Sequence, residues 1–202
     1  MMSTDPLYSA TFIAVISCWF VFAAVFFLRR KPRYSRERKS DRGAAIGVLV
    51  AALGYACVWS FRRKEPSIVA DGGVVLAYLL SALAILLAVG SVWLTATAVR
   101  RLGKQWAVAA RVVEHHELIT DGPYAVVRNP IYTGMLGMLI ATGLALSEWW
   151  ALVLGVVIYL IGTGIRIRAE ERLLREAFRE KFEVYAKSVP AIVPGIFRQS
   201  RR

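Results

Sequence analysis

Two cysteines and two histidines are all that 202 residues contain of the side chains that most often form bridges or bind metals. Cys18 and Cys57 both fall inside long apolar runs, where a free thiol acts as a small packing residue. That placement excludes a disulfide framework, which needs an oxidising, loop-rich setting. His115 and His116 adjoin one another without a companion cysteine, so no metal-ligand spacing exists and no metal is expected. Acids are scarce as well: 14 Asp and Glu stand against 26 Lys and Arg, for a net charge of +12. Internal repeats and low-complexity segments are missing, which excludes solenoid and linker-dominated architectures.

What the chain has in quantity is apolar surface. Hydrophobic residues make up 57% of it and the mean hydropathy is +0.51, whereas soluble domains hold ~45–50% apolar residues. Five apolar runs can be read, at residues 7–28, 43–61, 74–99, 131–146 and 149–165. A spanning helix needs about 17–25 residues, which the first three supply. The last two are short and separated only by Ser147 and Glu148. They read as a tight helical hairpin, with one long re-entrant element as the alternative. The first run reads as a retained helix rather than a signal peptide: Asp5 precedes it without a basic residue, and "RRKPR" follows as a stop-transfer signal. The expected fold class is an all-α integral membrane protein of about five transmembrane helices, with a polar loop and a C-terminal amphipathic helix. Residues 1–99 form an N-terminal unit of three spans, and residues 100–202 carry whatever chemistry there is.

The basic residues settle at the ends of the apolar runs, a pattern that fits anionic lipid rather than nucleic acid. Segments 29–42, 100–130 and 166–202 hold 8, 5 and 10 of the 26, leaving Arg62, Arg63 and Lys64. Positive-inside then puts the N-terminus outside and the 100–130 loop and C-terminus in the cytosol.

Between the third and fourth runs lie 31 residues of mixed polarity, "RRLGKQWAVAARVVEHHELITDGPYAVVRNP". Connections of that length are uncommon without structure or function of their own. Within it "AVAARVVEHHELI" alternates enough for a short extended stretch, and "GPY" and "RNP" are turn signals. Arg128 stands just before the fourth helix, whose N-terminal dipole also favours an anion. Beyond the hairpin, "RIRAEERLLREAFREKFEVYAK" places Leu174, Phe178, Phe182 and Tyr185 at i, i+4, i+8 and i+11, the spacing of an amphipathic helix. Arg166 and Glu170 are four apart and share one face. Glu170 and Glu171 repel each other unless cations surround them. In the N-terminal half, Gly43 and Gly47 at GxxxG spacing suit close helix packing, and nothing there looks catalytic.

The order "LGKQW", His116-x-Leu118, "GPYAVVRNPIYTG", short hairpin, "RIRAEE", Tyr185…"VP" resembles the isoprenylcysteine carboxyl methyltransferase family, a group that also includes phospholipid N-methyltransferases. The resemblance covers about residues 100 to 195. It implies methyl transfer from S-adenosylmethionine to a lipid or prenylated acceptor, with the cofactor enclosed at the cytosolic boundary by the loop and the C-terminal helix. By that resemblance His116, Leu118, Gly122, Tyr124, Arg128, Asn129, Pro130, Tyr132, Glu170 and Glu171 are the cofactor-binding positions. Arg166 marks the acceptor entrance, and Arg166 and Glu170 are the candidate catalytic pair. Asn129 departs from the histidine usual in the methyl-esterifying members. The expected acceptor is an isoprenylcysteine-type carboxylate, with a phospholipid amine as the alternative. A nicotinamide-dependent membrane reductase is a second class, but such enzymes carry an acid after the proline where this chain reads Ile131-Tyr132-Thr133-Gly134-Met135. A non-enzymatic membrane scaffold leaves the 116–134 motif without a purpose.

The orientation has a direct test. With Cys18 and Cys57 replaced by alanine, single cysteines from Glu65→Cys and Thr120→Cys should label from opposite sides of the membrane. Labelling of both from one side overturns the orientation.

Overall fold

The computed structural model describes residues 6–28, 42–63, 73–103 and 118–194. Six α-helices follow in chain order: α1 Pro6–Leu28, α2 Arg42–Ser60, α3 Gly73–Leu102, α4 Pro130–Leu146, α5 Trp149–Phe178 and α6 Glu180–Ser188. A 3-10 turn, Gly122–Ala125, precedes α4. The all-α membrane architecture is as expected, but the count differs. Helices α1, α2, α3 and α5 are long and apolar enough to cross a bilayer, whereas α4 has 17 residues. At 1.5 Å per residue it reaches only ~25 Å, short of the ~30 Å hydrocarbon core.

Helix α4 does not need that length, because protein rather than lipid surrounds it. Ten of its residues are buried, and α1, α2, α3 and α5 all pack on it. The lipid-length helices around it keep their outward faces apolar: Phe20 and Phe27 on α1, Val75 and Leu86 on α3, and Val153 on α5 are all exposed. The hairpin expected at Ser147–Glu148 is present, and Gly143 on α4 faces the Leu152 side chain on α5 across it.

Small residues decide how closely the helices approach. A carbon added at Gly47 would lie 2.6 Å from the Gly162 carbonyl, and one at Gly54 would lie 2.6 Å from the Gly155 carbonyl. The reverse holds from α5: Gly162 faces the Gly47 carbonyl at 2.7 Å, and Gly155 faces the Gly54 carbonyl at 2.8 Å. The pairs run in opposite order along the chain, so α2 and α5 are antiparallel and touch backbone to backbone. Without a hydrophobic force between helices in lipid, such close contact is a main source of association. On the other flank the Thr95 and Ser91 hydroxyls of α3 occupy the space beside Gly134 and Gly137 of α4.

The Ser147–Glu148 end is closed by Arg63. Its Nε donates to the Ser147 carbonyl at 2.6 Å and its Nη2 to the Leu144 carbonyl at 3.0 Å, and its guanidinium lies 4.8 Å over the Trp149 ring. A cation on the last carbonyls of a helix satisfies groups that the helix leaves open and suits its dipole.

Helix α5 departs from expectation at the opposite end. The apolar run finishes near Ile165, yet the helix continues unbroken to Phe178. Its 30 residues span ~45 Å, so the charged part projects about 15 Å beyond a hydrocarbon core of ~30 Å. The break comes instead at Arg179, at a positive φ of 47°, and α6 turns away there. The stripe read from the sequence survives that break: Leu118, Leu174, Phe178, Phe182, Tyr185 and Val189 form one apolar cluster.

The close approach of α2 and α5 can be tested with a matched pair of substitutions. Gly162→Ala should destabilise the protein in detergent by about 1–3 kcal/mol, the usual cost of overpacking. Gly164→Ala, where nothing lies within 4 Å of the added carbon, should be neutral or stabilise by ~0.5–1 kcal/mol. Equal thermal midpoints for the two variants would show that the helices are not in backbone contact.

Candidate functional site

The polar end of the bundle is built by a turn that only a few residues permit. Gly122 has φ +60°, a left-handed conformation that costs glycine little. Pro123 follows it with a fixed φ suited to a tight turn. The Val126 and Val127 amides both donate to the Pro123 carbonyl at 3.2 Å. The turn buries Tyr124 and leaves Asp121 exposed, where the hydrogen bond from Arg101 Nε at 2.7 Å holds its carboxyl below the usual range. Pro130 then opens α4 at a position where no amide hydrogen is needed.

The segment after α6 folds back over this entrance. The Arg128 amide donates to the Pro190 carbonyl at 2.8 Å and the Asn129 amide to the Ala191 carbonyl at 3.1 Å. Asn129 Nδ2 also donates to Ala191 at 3.1 Å, and Thr133 Oγ1 to the Ile192 carbonyl at 2.7 Å. Asn129 therefore acts as a clip on the C-terminal segment and does not cap α4. The start of α4 is covered by chain, with the Arg128 and Asn129 amides bonded to the C-terminal segment.

Arg128 itself is turned inward. Its Nε and Nη2 donate to Glu171 Oε1 at 3.0 and 2.8 Å, and its Nη1 donates to the Ala186 carbonyl at 2.8 Å and to the Val189 carbonyl. Arg175 Nη2 reaches the other Glu171 oxygen at 3.1 Å, and Arg175 Nε reaches Glu183 at 2.8 Å. Glu171 is thus neutralised from two sides while almost buried. Nearby, the Tyr185 hydroxyl donates to the Tyr124 carbonyl at 2.6 Å. Burial pushes Tyr185 up to about 12 and raises Tyr124 as well, so both remain neutral.

Glu170, the next residue, points elsewhere. Successive helical positions diverge by ~100°, and its Oε1 accepts from Tyr132 OH at 2.6 Å and from Arg166 Nε at 3.0 Å. The Arg166 guanidinium also lies 5.2 Å from the Tyr132 ring centre. Among the described residues, Oε2 of Glu170 accepts no hydrogen bond, and the side chain is 22% exposed. Below this trio a cavity of about 200 Å³ opens between α2, α4 and α5. Arg166 and Tyr132 form its polar end, and Met135, Tyr159, Thr163 and Tyr55 continue it into the apolar part of the bundle. A charged carboxylate with its own cation, set at the mouth of an apolar cavity, can place a polar reacting group in water-accessible space and an apolar tail among the helices.

Residues 79–181 match the phospholipid methyltransferase family model. The chain belongs to that family. It is 30% identical over 102 residues to protein-S-isoprenylcysteine O-methyltransferase B of Arabidopsis thaliana, which covers 50% of this chain and 52% of the relative. Against protein-S-isoprenylcysteine O-methyltransferase of Schizosaccharomyces pombe it is 32% identical over 106 residues, 52% of this chain and 45% of the relative. It is also 33% identical over 114 residues to the nickel-cobalt-cadmium resistance protein NccN of Alcaligenes xylosoxydans xylosoxydans, 56% of this chain and 52% of that one. The chain spans about half the length of the curated relatives it matches.

In this phospholipid methyltransferase family member, the candidate residues separate into two groups. Tyr132, Arg166 and Glu170 meet at the cavity. Leu118, Gly122, Tyr124, Arg128, Asn129, Pro130 and Glu171 form the frame that closes the polar end. His116, with nearly all of the alternating 107–119 stretch, lies outside the described residues. Sequence reasoning missed Tyr55, Tyr159 and Arg175. The two tyrosines carried a signal, because a phenol hydroxyl inside a membrane helix requires a partner. Here Tyr159 donates to the Tyr132 carbonyl at 2.9 Å and Tyr55 to the Met135 carbonyl at 2.6 Å.

If Arg128 ties the C-terminal segment down, its loss should be felt there first. Removing one partner of a buried ion pair costs about 3–5 kcal/mol, although Arg175 retains part of the hold on Glu171. Arg128→Ala should make the lysine and arginine sites of residues 179–187 open to trypsin in detergent while the membrane helices remain protected. Parental resistance at those sites would show that the frame does not depend on Arg128.

Proposed function

We propose that the chain is an integral-membrane methyltransferase that moves a methyl group from S-adenosylmethionine to a carboxylate carried on an apolar chain, as in an S-isoprenylcysteine. The observation that carries this reading is the Arg166–Glu170–Tyr132 trio at the mouth of an apolar cavity. The names of the isoprenylcysteine O-methyltransferase relatives support the acceptor, and the distribution of basic charge supports a cytosolic active site.

The residues present suit such a cofactor. Glu170 is a partly exposed carboxylate that can attract an ammonium or accept from sugar hydroxyls, and the Tyr132 ring face favours a nearby cation. The chemistry supplied by bound S-adenosylmethionine is a methyl carried on a sulfonium: the acceptor oxygen forms the new O–C bond while the C–S bond breaks, its electron pair returns to sulfur, and no proton is released. The protein's part is then to bring two reactants into line. Arg166 holds the acceptor carboxylate through its planar fork of donors while Glu170 and Tyr132 fix the fork. Leu118, Gly122, Tyr124, Arg128, Asn129, Pro130 and Glu171 shape the cofactor side of the pocket, and His116 is proposed as a further contact to the cofactor carboxylate.

An α-carboxylate, with an ordinary pKa near 3.3–3.7, attacks as it stands and needs no base. An amine acceptor must first lose a proton, and Arg166 opposes the approach of an ammonium. The carboxylate acceptor is therefore favoured over a phospholipid amine.

Arg166→Ala should lower methyl transfer to an S-prenylcysteine by roughly 100-fold, as for a lost orienting contact, while S-adenosylhomocysteine binds nearly as before. Glu170→Ala should instead weaken that ligand by about 1.5–3 kcal/mol, the range for a hydrogen bond to a charged group. Calorimetry beside a radiolabel transfer assay separates the two. Parental ligand binding by Glu170→Ala, or parental turnover by Arg166→Ala, overturns the assignment of that residue.

A further inference from the structure

The cavity has one wall from outside the segment that matches the family, residues 79–181. That wall is α2, which contributes Val48, Ala51, Ala52 and Tyr55. Positions i, i+3, i+4 and i+7 make one stripe about 10 Å long. The antiparallel glycine contacts fix which end is which. Gly47 meets Gly162 and Arg166, and Gly54 meets Gly155 and Tyr159. Val48 therefore stands at the polar end beside Arg166, and Tyr55 stands at the far, apolar end beside Tyr159.

Tyr55 is fixed in that place. Its hydroxyl donates to the Met135 carbonyl at 2.6 Å, and its ring meets Tyr159 edge-on at 5.8 Å and Trp19 at 5.5 Å. A buried hydroxyl with a carbonyl partner and two edge-on aromatic contacts has little freedom to swing. Val48 and Ala52, by contrast, are exposed on the outer side of α2. The cavity is closed below and open to the side.

We propose that Tyr55 is a specificity-determining residue: it forms the floor that limits how far the apolar chain of the acceptor extends below Arg166, so that α2 sets how much of that chain the cavity holds. This rests on reading the cavity as the acceptor site. The volume decides what fits. About 200 Å³ is little more than the ~150 Å³ of an engineered cavity that takes up one benzene. Only the first branched unit of an apolar chain is held above Tyr55, and anything longer leaves between Val48 and Ala52. The hydroxyl fixes the ring, and the ring sets the depth.

The test uses the full chain in detergent, with Tyr55→Ala and Tyr55→Phe beside the parent. Binding of N-acetyl-S-alkyl-cysteines of increasing chain length and branching is measured by calorimetry with no methyl donor present. Methyl transfer to the same series is measured separately. Tyr55→Ala should move the preference toward longer, bulkier chains, changing the long-to-short affinity ratio roughly tenfold or more, as one methylene-sized change in an apolar pocket does. Tyr55→Phe should keep the parental ranking, because the edge-on contacts with Tyr159 and Trp19 still place the ring. S-adenosylhomocysteine affinity at the parental value reports an intact fold. Where Tyr55→Ala fails that check, Tyr55→Leu should shift the ranking in the same direction. An unchanged ranking in a folded Tyr55→Ala or Tyr55→Leu protein overturns the proposal, as does a parent that binds no member of the series. If the ranking in binding depends on Tyr55 while the parent methylates none of the series, the role of Tyr55 is supported and the acceptor class proposed above is wrong.

Discussion

The guanidinium of Arg128 touches Glu171 on α5 and the carbonyls of Ala186 and Val189 beyond it, and the polar end of the molecule is organised around those contacts. A buried carboxylate without a cation would cost several kcal/mol or take up a proton. Arg128 and Arg175 remove that penalty for Glu171, and in doing so they fix the register between the loop before α4, the end of α5 and α6. Val189, held through its carbonyl, leads directly into Pro190 and Ala191, whose own carbonyls cover the amides of Arg128 and Asn129. The arginine side chain and its backbone thus bind the same returning strand of chain at successive residues.

That arrangement also explains how two adjacent glutamates coexist. Side by side in sequence, they would repel if they pointed the same way. The helix directs them ~100° apart, Glu171 toward Arg128 and Arg175, and Glu170 toward Arg166 and Tyr132. One carboxylate belongs to the frame and the other to the cavity. The division has a geometric origin: α5 runs without a break from its apolar span into its charged part, so both glutamates are carried on one rigid rod.

The membrane helices were legible because their apolar runs are long and their flanks charged, and the pairing of Arg166 with Glu170 was legible because four residues make one helical turn. Contacts that cross the chain were not. Arg128 and Glu171 lie 43 residues apart in sequence, and no local periodicity connects them. The end of α5 was misread for a different reason. Hydropathy changes at Ile165, but the helix does not, since "RIRAEERLLREAF" contains good helix formers throughout. The true break falls at Arg179, a residue type that gives no warning of a positive φ. Tyr55 escaped notice although its hydroxyl, set in an apolar run, requires a partner, because that partner, the Met135 carbonyl, lies 80 residues away in sequence.

The cavity and the helix packing have a common cause. Gly47 and Gly54, seven residues apart, bring α2 against the α5 backbone, and Val48, Ala51, Ala52 and Tyr55 lie on the stripe next to that contact. Close approach on one stripe fixes the position of the other relative to α4. Two alanines there are too small to fill the space between α2 and α4, and Tyr55 and Tyr159 hold α4 in place through its own carbonyls. A larger residue at Ala52, which is not among the close neighbours of those glycines, would occupy the volume, whereas Ala51 packs its own backbone against Gly162. The opening beside Arg166 is therefore a consequence of side-chain size along α2, set independently of the charged frame above it. Helix packing and the polar end can vary separately, and the cavity is where the two meet.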